Sequence, residues 1–348
     1  MKVESVKPPK APADQGTLHK KMMQLLSNLW VSHAIGSFAR LGLADAMAKG
    51  AADAHAIAAP LGLDGDRVYR LLRALSTVGV VTEGVRGTFA LAPLGRLLCS
   101  DAPLSMHTAA ALMTEYHADI WRYLDTALKG GVAFETLHGR PLFDWLGDRP
   151  DEGARFQRMM LEVHGPETPA IVAAYDFSRF KHVIDVAGGN GSLLSAIVAA
   201  HPALQATLYD LPGGIAAARR GDGGPLPGVA LAEGNMFDGV PAGGDLYLLR
   251  HVLHDYDDAE ALMVLANVRR AMPPGARLLV LEKTVPADDT PGPGRWLDLH
   301  VMLLVGGRER TEAEYGALLA KADLRIERVL PTAHPAIEIV EAVQATPG

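Results

Sequence analysis

A histidine that follows an apolar run is the residue of this chain best suited to move a proton. His254 lies in the segment LRHVLHDYDD, directly after a stretch typical of a buried strand. An imidazole titrates near neutral pH and can take the proton of a hydroxyl group as the oxygen attacks an electrophile. Asp255 follows it and could fix the orientation of the ring. We therefore interpret His254 as a candidate general base and Asp255 as its candidate partner.

Two glutamates further along the chain are also placed to take part. Glu282 ends the apolar run RLLVLEK, at the carboxyl edge of a predicted strand, where a carboxylate can polarise or orient the base. Glu309 lies in GGRERTEAEY just before Thr311 and Glu314, whose spacing predicts a capping box. Because Glu309 precedes the cap, it is available for another role. Both glutamates are therefore candidates for the catalytic group.

A glycine-rich segment offers a ligand close access to the backbone. Residues 185–191 read DVAGGNG and lie between a predicted strand and a predicted helix. Glycines let such a turn bend sharply at the sheet edge where ligands bind, although a purely structural turn is the alternative. Asp210 ends the next strand, where a carboxylate can hold two ribose hydroxyls. A dinucleotide fingerprint is disfavoured, because Leu194 stands where that motif has its third glycine.

The segment GNMF follows a third predicted strand. Asn235 offers a polar amide beside Met236 and Phe237, which offer apolar cover. An adenine ring needs flat apolar contacts and a polar partner for its amino nitrogen. Either apolar residue taken alone is more typical of a core. Beside the glycine-rich segment, the three residues indicate a place for adenine.

The elements that position these groups follow from the apolar pattern. From residue 180 onward, short apolar runs alternate with helical patterns, which predicts βαβ units and a parallel sheet covered on both faces. The predicted strands are residues 182–188, 205–210, 229–235, 244–250, 277–283, 324–331 and 336–343. The predicted helices are residues 192–200, 213–220, 257–272 and 311–322. The candidate residues thus lie at the carboxyl ends of strands in an α/β fold.

The first hundred residues have a different pattern. Apolar residues recur at helical spacing from Leu18 to Phe38, two short helices are predicted at 51–61 and 64–78, and residues 78–95 predict a β-hairpin. Helix, helix and hairpin is the order of a winged-helix module. The predicted division is a disordered tail over 1–16, a winged-helix domain over 17–105, a helical acceptor-pocket region over 106–165 and the α/β domain over 166–348.

The composition restricts the classes of function. With 33 Lys and Arg against 40 Asp and Glu, the net charge is −7, which is a poor basis for binding a polyanion. The single cysteine, Cys99, excludes a disulfide framework and a cysteine-rich metal site, and it suits a reducing cytosol. No apolar run is long enough to cross a bilayer, and the N-terminal segment lacks a secretory h-region. We therefore expect a cytoplasmic protein without a membrane or nucleic-acid partner.

Six motifs, in order, resemble a known family. They are DVAGGNG, YDLP, GNMF, LRHVLHDYDD, LEK and GGRERTEAEY. With them the chain resembles the S-adenosylmethionine-dependent O-methyltransferases of the plant caffeate and bacterial polyketide type. The resemblance implies a Rossmann-like, mainly parallel α/β methyltransferase domain preceded by a mostly α-helical winged-helix dimerisation domain. It also implies S-adenosylmethionine as cofactor, a homodimer through the N-terminal domain and a small-molecule acceptor.

The resemblance assigns roles to individual residues. The catalytic histidine falls on His254, flanked by Glu282 and Glu309. The implied cofactor contacts are Ala187, Gly188, Gly189, Asp210, Asn235, Met236 and Arg250. Departures from the commonest family residues occur at four positions: Ala187, Asn235, Arg250 and Tyr256.

Acceptor pockets of this family lie between the helical region and the segment after the last catalytic strand. The candidates to line the pocket are Phe156, Met160, His164, His300 and Met302. Each is also compatible with a core, above all the methionines. His300 places a polar group where phenol-methylating relatives often carry an apolar one, and it can hydrogen-bond the acceptor. The predicted reaction is methyl transfer to a hydroxyl of an aromatic or polyketide-like natural product.

Three alternative functions stay open from the sequence. His254 and His300 could bind a metal, with Asp255 or the substrate, for C-methylation of a 2-keto acid, whereas the main interpretation has no metal. A second alternative is a winged-helix regulator that binds DNA through Arg67, Arg70 and Arg73 on one predicted helix. Arginines at this spacing more commonly form a solvent-exposed helix face. A third is a family member that has exchanged methyl transfer for decarboxylation or hydroxylation.

Overall fold

The computed structural model describes residues 14–50, 52–292 and 294–345. Apart from residues 14–16, the predicted disordered tail lies outside the described residues. The chain divides into two compact units, one ending at Ala102 and the other beginning at Pro103. The division lies three residues before the predicted boundary, and it groups the helical region 106–165 with the α/β sheet. None of the helices in the described ranges is long and apolar enough to span a membrane.

The first unit combines helices with a small antiparallel sheet. Its helices are α1 (Gln15–Arg40), α2 (Leu43–Met47), α3 (Ala54–Ala58), α4 (Gly65–Ser76) and α5 (Pro93–Arg96). Its strands are β1 (Ala52–Asp53), β2 (Val81–Glu83) and β3 (Thr88–Leu91), in the order β1-β3-β2. The carboxylates of Asp53 and Asp64 accept backbone N–H groups at the starts of α3 and α4. The predicted order of helix, helix and hairpin is confirmed.

Helix α1 begins within the predicted tail and carries several exposed apolar side chains. Asp14 accepts the backbone N–H groups of Gly16 and Thr17, so the helix starts at Gln15. Six large apolar side chains along it are more than half exposed: Leu18, Met22, Leu25, Leu26, Leu29 and Trp30. An exposed apolar face of this size is typical of a surface that binds a partner.

Seven helices precede the sheet of the second unit, in agreement with the helical pattern. They are α6 (His107–Leu112), α7 (Tyr116–Asp119), α8 (Leu124–Ala127), α9 (Ala133–His138), α10 (Leu142–Gly147), α11 (Pro150–His164) and α12 (Thr168–Ala174).

The sheet of the second unit has seven strands. They are β4 (His182–Val186), β5 (Gln205–Asp210), β6 (Val229–Glu233), β7 (Leu246–Arg250), β8 (Arg277–Glu282), β9 (Leu324–Pro331) and β10 (Glu338–Gln344). The order is β6-β5-β4-β7-β8-β10-β9, with β10 antiparallel to both of its neighbours and the remaining pairs parallel. All seven predicted strands are therefore present.

Five helices accompany these strands. They are α13 (Ser192–Ala200), α14 (Pro212–Arg220), α15 (Asp258–Ala271), α16 (Gly294–Val305) and α17 (Glu312–Lys321). Four of them have predicted counterparts, and α16 has none. Leu303 and Leu304 of α16 share an apolar cluster with residues of α6 to α11. Helix α16 therefore joins the helical region to the segment that follows β8.

Alternate residues of one strand enter separate cores on the two faces of the sheet. Leu246 and Leu248 belong to one cluster, and Tyr247 and Leu249 belong to the other. Burial on both faces explains why the parallel strands are continuous apolar runs. The strand order reverses at β4, which pairs with β5 on one side and β7 on the other, and such a point opens a crevice at the carboxyl ends of the strands.

Candidate active site

The turn after β7 carries His254 and is shaped by Glu282, the last residue of β8. Glu282 is fully buried. Its Oε1 accepts three successive backbone N–H groups, at 3.1, 2.7 and 3.3 Å: those of Val252, Leu253 and His254. Its Oε2 accepts the hydroxyl of Tyr315. Every hydrogen bond described for Glu282 thus goes to the backbone of the turn or to Tyr315, so Glu282 can orient the imidazole only through the turn.

The imidazole of His254 is held by Glu309. Nδ1 of His254 lies 2.7 Å from Oε1 of Glu309, and both side chains are buried. Asp255, the partner expected from the sequence, lies instead near the other ring nitrogen, with Oδ1 3.6 Å from Nε2. The hydrogen-bonding position on Nδ1 thus belongs to Glu309, 55 residues further along, and a role of Asp255 in orienting the ring stays a prediction.

The surrounding carboxylates change the basicity of the imidazole. Burial alone would lower the pKa of His254, but the negative charges of Asp255, Glu309 and Glu282 raise it to about 10. Burial raises the pKa of Asp255 to about 6, and it also raises the pKa of Glu282. A buried imidazole with a carboxylate on Nδ1 can accept a proton on Nε2, since the imidazolium that forms is stabilised by the adjacent negative charge.

The segment after α16 closes over the histidine turn. A Cβ atom added to Gly307 would overlap the backbone carbonyl oxygen of His254, so only glycine permits this approach. The guanidinium of Arg310 is buried and donates to the backbone carbonyls of Leu253 and Tyr256, at 2.7 and 2.9 Å. Arg310 was not among the predicted site residues. The sequence feature that could have indicated a role for Arg310 is its position directly after Glu309.

The glycine-rich segment forms a tight turn against the end of β5. Ala187 and Gly189 have φ values of 55° and 60°, and Gly189 donates its N–H to Oδ2 of Asp210 at 2.7 Å. A Cβ atom on Gly188 would lie 2.5 Å from Oδ2 of Asp185, which excludes any side chain there. Burial raises the pKa of Asp210 to about 6. The structure thus brings together the residues that the resemblance assigned to the methionine part and the ribose.

Asp185 was not among the predicted site residues, yet it is the most unusual group at this edge. It is buried at the end of β4, and neither carboxylate oxygen has a hydrogen-bond partner among the described residues. Burial raises its pKa to about 7, opposed by the charge of Arg250. Nε of Arg250 is likewise buried without a partner among these residues. A ligand that carries both a cation and a carboxylate, as S-adenosylmethionine does, fits this pair of groups.

Glu167 connects the site to the end of α11 and was also not predicted. Its carboxylate lies 3.1 Å from Nδ1 of His164, 2.8 Å from Nε2 of His251 and 2.9 Å from the guanidinium of Arg250. Burial alone would raise the pKa of Glu167, but the hydrogen bonds with the two histidines hold it below its usual range. The charges of Glu167 and Arg250 therefore balance each other in a buried network.

The segment after β6 provides the predicted apolar cover. Met236 is buried, and the ring of Phe237 meets that of Tyr256 edge to face at 5.0 Å between centroids. The side chain of Asn267 donates to the backbone carbonyls of Met236 and Phe237, both at 2.8 Å. Oδ1 of Asn235 accepts the N–H of Phe237 at 3.0 Å, which shapes the turn. Contact of these side chains with adenine stays a prediction.

Three of the five acceptor-lining candidates belong to one apolar cluster. They are Phe156, Met160 and Met302, on α11 and α16. His300 contacts the same region through Trp121 and His117. His164 is placed differently, because its imidazole lies in the Glu167 network.

The structure does not assemble the metal site proposed for His254 and His300. The ring nitrogens of His300 lie 3.0 Å from His117 and 3.1 Å from Trp121, while those of His254 face Glu309 and Asp255. Within the described ranges, one group of three or more His, Cys, Asp or Glu side chains has the spacing of metal ligands: His164, Glu167 and His251. The Glu167 carboxylate of this group already forms an ion pair with Arg250.

Two family models match the chain. The O-methyltransferase domain matches residues 121–325, and the O-methyltransferase dimerisation domain matches residues 23–101. The match to a dimerisation domain favours dimer formation over DNA binding for the winged-helix unit.

Relatives agree with both matches. Phenazine O-methyltransferase PhzM of Lysobacter antibioticus is 37% identical over 324 residues, which cover 92% of this chain and 95% of the relative. The mitomycin biosynthesis 6-O-methyltransferase of Streptomyces lavendulae is 33% identical over 355 residues, covering 99% and 100%. The crystal structure of the O-methyltransferase NcsB1 from neocarzinostatin biosynthesis, solved with S-adenosyl-L-homocysteine and 1,4-dihydroxy-2-naphthoic acid, superposes with a TM-score of 0.80 at 32% identity, covering 96% and 100%. The chain therefore belongs to the S-adenosylmethionine-dependent O-methyltransferases that carry an N-terminal dimerisation domain.

Proposed function

We propose that this enzyme transfers the methyl group of S-adenosylmethionine to a hydroxyl of a small aromatic natural product, with His254 as general base. The observation that carries the proposal is the buried hydrogen bond between Nδ1 of His254 and Glu309. It fixes the ring and leaves Nε2 as the nitrogen that can receive a proton. General-base catalysis of this kind contributes about 10²–10⁴-fold to the rate.

The cofactor would lie along the carboxyl ends of β4, β5 and β6. Asp185 and Arg250 would face its ammonium and carboxylate groups, and Asp210 its ribose. Asn235, Met236 and Phe237 would surround the adenine, and Ala187, Gly188 and Gly189 would let it approach the backbone. When bound, S-adenosylmethionine supplies a methyl group made electrophilic by the sulfonium and leaves as the neutral thioether.

The chain's own residues then have two tasks. The first is alignment, because an activated methyl group needs chiefly an oxygen held in line with the bond that breaks. The second is proton removal: Nε2 of His254 takes the hydroxyl proton as the oxygen bonds to carbon. Glu309 stabilises the resulting imidazolium, while Glu282 and Arg310 hold the turn in place.

The class of acceptor is supported by the names of relatives. They include 3-amino-4-hydroxybenzoate 4-O-methyltransferase and 2,7-dihydroxy-5-methyl-1-naphthoate 7-O-methyltransferase, at 35% and 33% identity. One relative at 32% identity is phenazine-1-carboxylate N-methyltransferase, which makes an aromatic nitrogen the second candidate acceptor. We infer a flat ring system that carries a nucleophilic oxygen.

The functional unit is proposed to be a homodimer. Support comes from the match of residues 23–101 to a dimerisation domain and from the exposed apolar face of α1.

The direct test combines labelled cofactor with a panel of acceptors. The purified enzyme is incubated with S-adenosylmethionine carrying a ¹³C-methyl group and with matched phenols, aromatic amines and 2-keto acids, and the products are located by mass spectrometry and NMR. We expect the label on a phenolic oxygen. Label on nitrogen or carbon alone, or no uptake of S-adenosylhomocysteine by calorimetry, would refute the proposal.

A further inference from the structure

Three aromatic side chains outside the proposed catalytic group form a directed chain of hydrogen bonds. Nε1 of Trp121 donates to Nδ1 of His300 at 3.1 Å. Nε2 of His300 lies 3.0 Å from Nδ1 of His117. The rings of Trp121 and His117 each lie nearly parallel to that of His300.

The indole fixes the position of every proton in this chain. A tryptophan N–H can only donate, so Nδ1 of His300 must accept. Burial lowers the pKa of His300 to about 4 and that of His117 to about 3, so each ring carries one proton at neutral pH. The proton of His300 is then on Nε2 and is donated to Nδ1 of His117. His117 consequently carries its own proton on Nε2.

That last N–H group finds no acceptor among the residues that the structure describes. His117 is 2% exposed, and its Nε2 is buried without a partner among the described residues. An unsatisfied buried donor is destabilising, so proteins keep few of them without a use. The hydroxyl of the neighbouring Tyr116 is also buried without a partner among these residues. The unpartnered donor of the hydrogen-bonded chain therefore lies in the region of His117, His300 and Trp121.

This region is linked to the proposed base through α16. Asp298, two residues before His300, accepts the backbone N–H of Glu309 at 2.8 Å, and Glu309 holds His254. Met302, on the same helix, shares an apolar cluster with Phe156. One helix therefore carries the end of the hydrogen-bonded chain, a support of the catalytic pair and part of the apolar lining.

We propose that Nε2–H of His117 binds a carbonyl oxygen of the methyl acceptor, which makes His117 a specificity-determining residue. The inference rests on the proposed function for the identity of the site. A ketone or quinone oxygen suits the place better than a carboxylate, because the His117 ring is neutral and offers a buried anion no counter-charge. The acceptor class is thus a hydroxylated aromatic compound with a ring carbonyl.

Two variants test the Nε2–H donor of His117 separately from the rest of its imidazole ring. In His117→Asn the amide oxygen takes the place of Nδ1 and can still accept from His300, but the donor at Nε2 is lost. In His117→Gln the longer amide places an N–H near Nε2. The probes are 6-hydroxy-1-tetralone and 7-hydroxy-1-tetralone, each compared with 5,6,7,8-tetrahydro-2-naphthol, which lacks the ketone. The ratio of kcat/KM for ketone over deoxy compound is measured in each enzyme.

We expect the wild-type enzyme to prefer at least one ketone, and His117→Asn to lower that ratio by about tenfold, the effect of one lost hydrogen bond of about 1.4 kcal/mol. His117→Gln should stay within about threefold of the wild type. General damage to the fold would lower both values of kcat/KM and leave the ratio unchanged. Differences in phenol acidity between the compounds cancel when the ratio is compared between enzymes.

An unchanged ratio in His117→Asn overturns the inference and indicates that Nε2–H is bonded to a buried water only. Absence of a ketone preference in the wild type also overturns it. If no hydroxyl is methylated at all, the proposed function fails separately, and the ratio is then taken from calorimetric affinities in the presence of S-adenosylhomocysteine. A long-range ¹⁵N–¹H spectrum of ¹⁵N-histidine-labelled enzyme tests the proton assignment, and an imidazolium or an Nδ1–H form of His117 contradicts it.

Discussion

Glu309 and His254 are 55 residues apart in the chain, yet their side chains meet at 2.7 Å in a buried hydrogen bond on Nδ1 of the imidazole. The carboxylate that directly follows the histidine, Asp255, faces the opposite nitrogen. The pairing orients the ring and places a negative charge where an imidazolium would form.

Replacement of His254 by Ala should reduce kcat by about 10²–10⁴-fold, because the general base is lost while the cofactor residues stay in place. Affinity for S-adenosylhomocysteine, measured by calorimetry, should change by less than about threefold. His55→Ala, at an exposed histidine of the first unit, is the control and should be fully active. A His254→Ala enzyme that keeps more than a tenth of its kcat would mean that another group removes the proton.

The pH dependence should report the charge on Glu309. Asp255, Glu309 and Glu282 raise the pKa of His254 to about 10 against the effect of burial. Because a raised pKa keeps the ring protonated at lower pH, the basic form grows with pH, and kcat/KM should rise into the alkaline range. Glu309→Gln removes one charge, which should lower this pKa and move the rise to lower pH, with a smaller plateau. A pH–rate profile that does not move would exclude electrostatic coupling between the two residues.

Asp185→Asn should weaken cofactor binding and stabilise the cofactor-free enzyme. Loss of the carboxylate opposite a cationic group should lower the affinity for S-adenosylmethionine by about 10- to 100-fold, from the usual strength of charged hydrogen bonds. Burial raises the pKa of Asp185 to about 7, so its ionised form opposes folding. The gain in Tm should therefore grow as pH rises from about 4 to about 7 and then stay constant.

Calorimetry and thermal unfolding at pH 5 and pH 8 measure both effects. Asp222→Asn, at an exposed carboxylate paired with Arg220, is the control and should change neither quantity. Unaltered affinity in Asp185→Asn would show that the unpartnered carboxylate does not face the cofactor.

Gly307→Ala should lower kcat while cofactor affinity is kept. The added methyl group would overlap the backbone carbonyl oxygen of His254, so the turn that carries the base must shift. A small displacement of a catalytic group costs about 10²-fold in rate. The matched control is Gly316→Ala in α17, where the new methyl group makes an ordinary contact and should stabilise the helix by about 0.5–1 kcal/mol. Equal kinetics for both variants would show that the close approach at Gly307 has no role in catalysis.

A charged face on α1 should dissociate the homodimer. The double variant Leu26→Glu, Trp30→Glu places two like charges on the exposed apolar face, which a dimer would have to bury without partners. Light scattering should give the mass of a dimer for the wild type and that of a monomer for the variant. Leu128→Glu, at an exposed leucine of the second unit, should remain a dimer. A dimer that survives the double variant would assign the interface to another surface.

Local pattern was sufficient for all seven strands of the large sheet and for four of the five helices that accompany them, whereas α16 was not predicted. Each apolar run forms a strand, because a strand that is buried on both faces of the sheet needs apolar side chains on both sides. Helix α13 occupies the predicted residues 192–200. Asp210 and Glu282, which end strands, and His254, in the turn after β7, lie at one edge of the sheet because parallel strands share their direction. The predicted capping box of Thr311 and Glu314 is also present.

The sequence by itself thus determined the fold class, the sheet edge proposed to bind the cofactor and the residue proposed as the base, since all three depend on the order and spacing of residues along single elements. Tertiary packing decided which side chains contact the residues of the site. It placed Glu309 on Nδ1 of the imidazole, buried Asp185 without a hydrogen-bond partner among the described residues, and set His117 against His300 across 183 residues. A hydrogen bond forms only within about 3 Å, and such proximity between distant segments depends on how helices and strands pack, which periodicity does not encode.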